Sequence, residues 1–103
     1  MDLNLQFPAG WEQAKEIKYA QGFNKPAPRD YVGDGPLTAP EAIAVYNFTL
    51  IHDFRLVIAY HTQGKEIYWQ FQNYEPPESR YIVRVFSEVS GYLPEEVAYN
   101  SSF

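Results

Sequence analysis

From Thr38 onward, apolar residues fall at regular spacings. Ile43, Tyr46 or Asn47, Leu50 and Ile51 recur at helical intervals. Ahead of them Thr38-Ala39-Pro40-Glu41 fits a capping box, with Pro40 in the first turn. This predicts a helix ending near Asp53. Leu56-Val57-Ile58-Ala59-Tyr60 is an unbroken apolar run with β-branched content, which predicts a strand covered on both faces. His61 to Lys65 reads as a short turn. Ile67, Trp69 and Phe71 then alternate with Tyr68, Gln70 and Gln72, the period of a second strand. Pro77 at a first helical position opens another helix, with Ile82, Val85, Phe86 and Val89 on one face and Gly91 as its stop.

The chain before Thr38 is built differently. The first forty residues hold five of the eight prolines and four of the six glycines, which argues against long regular elements there. Phe7, Trp11, Tyr19, Phe23 and Tyr31 are too many aromatics for a linker. Residues 1–37 therefore read as an ordered irregular loop laid over a surface, with a short helix over Glu12–Gln21 stopped by Gly22. A disordered N-terminal arm is the alternative. The fold class is α/β, a single unit in which 38–103 run helix, strand, strand, helix, tail.

Composition narrows the function classes. A chain of 103 residues is shorter than a typical domain of roughly 150 residues, which excludes a two-domain enzyme. With 46% hydrophobic and 17% aromatic residues it is no disordered tail. The net charge of −5 opposes a nucleic-acid backbone as partner. No apolar run approaches the ~20 residues of a membrane span, and no signal-peptide pattern opens the chain. The absence of cysteine excludes disulfides and thiolate metal sites, but it leaves the compartment open.

The chemical candidates are few. His61 stands at the C-terminal end of the predicted buried strand, the edge of an α/β sheet where ligands collect, although a structural role is open on position alone. His52, in the last turn of a predicted helix beside Asp53, reads as structural. Neither histidine is followed by a His-x-x-Glu pattern, and neither a phosphate loop nor a Gly-x-Ser-x-Gly elbow occurs. Serines at 79, 87, 90, 101 and 102 leave a Ser-His-Asp site open, but no spacing ties them to His61. Glu95-Glu96 reads as a solvated turn or helix start.

Taken together, Asp2-Leu3-Asn4-Leu5-Gln6-Phe7-Pro8 and Leu56-Val57-Ile58-Ala59-Tyr60-His61-Thr62-Gln63-Gly64 resemble the middle of a zinc carboxypeptidase catalytic domain. In that family an Asp-x-Asn-Arg-Asn-Phe-like segment precedes a Gly/Pro-rich loop, a helix opening near Ser/Thr-x-x-Glu, and a strand ending in His-Ser-Tyr-like sequence. All four pieces occur here in order. The Pro8-Ala9-Gly10-Trp11 continuation is similar to the bacterial branch that cleaves γ-D-glutamyl-diamino acid bonds in cell-wall peptides.

The resemblance implies a partial mixed-sheet α/β/α domain. It implies that His61 is the third zinc ligand and that Asn4 hydrogen-bonds a substrate carboxylate. Thr62 and Gln63 would line the cleft beside the metal. Leu5 falls where the family carries an arginine, a departure that favours the cell-wall branch over ordinary carboxypeptidase specificity. The family's His-x-x-Glu ligands and general-base glutamate match no part of this chain, so a fragment of a longer gene, inactive alone, is the expectation. In the complete enzyme, zinc polarises the scissile carbonyl and activates water. A non-catalytic binding module and an unrelated small α/β protein are the alternatives. Uncovered strand edges would make the chain a homo-oligomer.

Overall fold

A computed structural model describes residues 1–62, 64–71 and 74–96. The chain divides into two units, Met1–Val57 and Ile58–Ser102, each with its own local logic.

The first unit opens with a 3-10 helix, Leu3–Leu5, whose N-cap Asp2 accepts the Asn4 amide on Oδ1 at 3.2 Å. Helix α1 covers Trp11–Ala20, within a residue of its expected bounds. Its end is a Schellman motif, in which Gly22 donates to the Tyr19 carbonyl and Phe23 to that of Lys18. Gly22 makes this possible at φ +97°. Trp11 and Ala14 face inward and join Leu5 and Val32 in one buried cluster. Lys18 pairs with Asp30 at 2.8 Å, while the Asp30 amide donates to Asp2 Oδ2 at 3.0 Å. The Gly/Pro-rich segment is therefore ordered by long-range bonds in place of regular structure.

Helix α2 covers Pro40–His52 and ends on Asp53 in the left-handed region, as the periodicity predicts. The capping box does not form. Ala39 is the N-cap, no side chain of its own caps the helix, and Thr38 lies one residue too early. Its amide and that of Ala39 donate instead to Gln6 Oε1, at 2.8 and 2.9 Å. A side chain more than thirty residues away in sequence thus holds the two amides that lead into the helix, in place of a local box. At the other end His52 Nδ1 lies 2.8 Å from the Phe48 carbonyl, and its ring stacks on Phe54 at 5.4 Å between centroids. This agrees with the structural reading of His52.

The Tyr31 hydroxyl donates to Asp34 Oδ1 at 3.0 Å, and that hydrogen bond, followed by burial, raises its pKa above the ordinary phenol value. The native state therefore holds this proton more tightly than the unfolded chain. The contribution is present below the ordinary tyrosine pKa near 10 and is lost as pH rises through the higher folded value. Tyr31→Phe should flatten the alkaline limb of the stability-against-pH curve, read by urea midpoints from pH 8 to 11. An unchanged limb would refute the coupling.

The second unit is a strand-helix-strand element. Strand β1, Glu66–Tyr68, pairs in parallel with β2, Leu93–Glu95, and Ile67 faces Pro94 in register. Helix α3, Ser79–Ser90, makes the crossover that a parallel pair requires. Gly91 ends it at φ +77° with its amide on the Ser87 carbonyl. Among the described residues, three α-helices and a small parallel sheet make this a partial α/β domain.

Several local expectations are corrected. Residues 56–60 form no strand, and Leu56, Val57, Ile58 and Tyr60 are exposed. A strand covered on both faces needs ladder partners and two flanking layers; among the described residues none pairs with this run. The expected second strand is described only over Glu66–Tyr68, and Phe71 pairs with Tyr74 in an isolated antiparallel bridge; Gln72 lies outside the described residues. On α3 it is Val83 that is buried, whereas Val85, Phe86 and Val89 stay open. The expected tail holds β2, and Glu95 closes that strand.

Candidate functional site

Asn4 lies in the 3-10 helix with its side chain exposed, and the next two residues turn inward. This alternation follows from the tight turn, which sends consecutive side chains in different directions. Leu5, which the resemblance sets against the family's arginine, packs into the cluster with Trp11, Ala14 and Val32. It belongs to the core and offers no charge to a carboxylate.

Gln6 is the residue that sequence reading missed. It is fully buried and its amide is saturated. Nε2 donates to the Val32 carbonyl at 2.7 Å and to that of Gly35 at 3.0 Å. Oε1 accepts from the amides of Thr38 and Ala39 and from Thr38 Oγ1 at 3.1 Å. The Gln6 carbonyl also accepts from Leu37 at 2.8 Å. Trp11 Nε1 adds a bond to the same Val32 carbonyl at 3.3 Å. A buried amide costs several kcal/mol unless its donors and acceptors are met, and here they are met by one loop. Gln6 follows Asp2 and Asn4 in an alternating polar and apolar run, so no local signal marks it as buried.

His61 and Thr62 belong to the second unit and are exposed, while Asn4 belongs to the first. His61 follows a run that is not a strand here, so the sheet edge expected to present it is not formed. Gln63 lies outside the described residues. Among the described residues no group of three or more His, Cys, Asp or Glu side chains is placed to hold a metal. Catalytic zinc takes three protein ligands, so these residues fit at most one corner of such a site and do not by themselves make a zinc centre. No helix among the described residues is long and apolar enough to cross a membrane.

Comparison with known proteins carries the assignment. Over 98 residues, 95% of this chain, it is 52% identical to gamma-D-glutamyl-L-diamino acid endopeptidase 1 of Lysinibacillus sphaericus, covering 24% of that protein. Over 93 residues, 90% of the chain, it is 43% identical to the uncharacterized protein YqgT of Bacillus subtilis (strain 168), again covering 24% of the relative. The chain thus spans about a quarter of the length of these curated relatives. No solved structure matches it. The zinc carboxypeptidase profile matches residues 1–101, and on that span the chain belongs to the zinc carboxypeptidase family.

Proposed function

We propose that this chain is part of the catalytic domain of a zinc-dependent peptidase that hydrolyses γ-D-glutamyl-diamino acid bonds in cell-wall peptides. The observation that carries the reading is the 52% identity to an endopeptidase of that name along nearly the whole chain. In this reading His61 is one zinc ligand, Asn4 binds a substrate carboxylate, and Thr62 and Gln63 border the cleft. Leu5 in the core, where a cation would hold a C-terminal carboxylate, supports the cell-wall branch over ordinary carboxypeptidase action. The chain alone supplies one imidazole of a three-ligand site and is inactive by itself.

The test is a hybrid enzyme. The matching segment of the Lysinibacillus endopeptidase is replaced by residues 1–101, and hydrolysis of a γ-D-glutamyl-diaminopimelate peptide is compared with that of an ordinary peptide C-terminus. Activity on the first alone is expected. Release of C-terminal residues from ordinary peptides would overturn the specificity, and a folded but inactive hybrid would favour a non-catalytic module.

We also propose that the isolated chain self-associates. Helix α2 is apolar nearly all round, a composition suited to a buried helix, yet Phe48 is 56%, Leu50 63% and Ile51 76% exposed. The run 56–60 is open as well. Exposed apolar surface of this kind favours pairing with a second copy. Sedimentation equilibrium at micromolar concentration should give a dimer or larger; a clean monomer of 11.9 kDa would refute it.

A further inference from the structure

We infer that Gln6 is the positioning residue of the turn that presents Asn4, locking it onto the 32–39 loop and the start of α2. The inference rests on the reading of Asn4 as a substrate-binding group. Gln6 is the C-cap of the 3-10 helix that carries Asn4, and its own amide closes that turn on the Leu3 carbonyl at 3.2 Å. A single residue, Leu5, separates the exposed Asn4 from this fully buried side chain. Asp2 also ties the turn, its amide donating to the Tyr31 carbonyl at 2.8 Å and its carboxylate taking the Asp30 amide, and Leu5 packs into the cluster with Trp11, Ala14 and Val32. Asp2 sets the entry of the turn, Leu5 anchors its middle by apolar packing, and Gln6 sets its exit by hydrogen bonds. Because Gln6 meets two carbonyls and two amides at once, neither a carboxylate nor an apolar side chain can replace it. A carboxylate cannot donate to the Val32 and Gly35 carbonyls, and leucine meets none of the four groups.

The experiment follows the 15N-labelled full chain by NMR in the parent, Gln6→Leu and Gln6→Glu. In Gln6→Leu the Thr38 and Ala39 amides should exchange about tenfold faster or more. The Asn4 backbone and side-chain signals should move, while the Ala14 signals of α1 stay in place. In Gln6→Glu at pH 7 the Asn4 signals and the Trp11 indole signal, which shares the Val32 carbonyl, should be displaced. They should return towards the parent's as the pH is lowered and the new carboxyl gains a proton to donate. Gln6→Leu should show no such return. Asp2, Asp30, Asp34 and Glu41 are the carboxylates on the flanking segments; the Gln6 side-chain bonds go to Val32, Gly35, Thr38 and Ala39 and to none of these, and the parent run through the same pH series subtracts them. If Gln6→Leu does not fold, the Gln6→Glu series decides. Unmoved Asn4 signals, or loosening spread evenly over residues 1–57 without recovery at low pH, would overturn the inference. The measurement involves no catalysis, so a hybrid enzyme indifferent to Asn4→Ala would sink the reading of Asn4 and leave the Gln6 geometry standing.

Discussion

Gly33→Ala should destabilise the first unit by about 2–4 kcal/mol. Gly33 sits at φ +91°, where an L side chain is strained, and a Cβ there would lie 2.6 Å from Gln6 Nε2 and 3.1 Å from Met1 Sδ. The methionine end can swing away. The Gln6 amide cannot, because moving it breaks its bonds to Val32, Gly35, Thr38 and Ala39 together. The backbone strain accounts for roughly 1–2 kcal/mol, and the collision with a pinned group for about as much again. Gly22→Ala separates the two effects. Gly22 has φ +97° with nothing within 4 Å of an added Cβ, so only the strain remains. Urea denaturation of both variants measures the difference. Equal losses would show that the Gln6 collision contributes nothing.

In the hybrid endopeptidase, His61→Ala should lower kcat/KM by at least about 100-fold, and zinc content should fall with it. Outer-shell partners of metal ligands already cost roughly 10–100-fold when removed, and a direct ligand should exceed them. Thr62→Ala should retain zinc and lose far less activity, since a cleft-lining hydroxyl holds no metal. Full zinc occupancy in His61→Ala would remove His61 from the ligand set. Asn4→Ala should raise KM more than it lowers kcat, as expected for a group that binds ground state and transition state alike.

The legible parts of this protein were those with local causes. Helices α1, α2 and α3 announce themselves through apolar spacing, Pro40 in a first turn, and Gly22 and Gly91 as stops, all acting within a few residues. The family was legible too, because the order Asp-x-Asn, Gly/Pro-rich loop, helix and His61 is written along the chain.

What tertiary structure decided were the features whose partners lie far away in sequence. The pattern at Thr38–Glu41 describes a capping box equally well whether or not a better acceptor is near; only the folded loop brings Gln6 Oε1 to those amides. The segment 1–37 reads as an ordered irregular loop, but what orders it is not legible, because the bonds run between residues 2 and 30–31, 6 and 32–39, and 11 and 32, which no local window contains. The run Leu56–Tyr60 has the composition of a buried strand, but composition supplies only the preference. A strand exists when another backbone meets its N–H and C=O groups and other layers cover its faces. Among the described residues nothing does either, so the most apolar stretch of the sequence remains exposed, and the histidine that follows it is left without the sheet edge that would aim it.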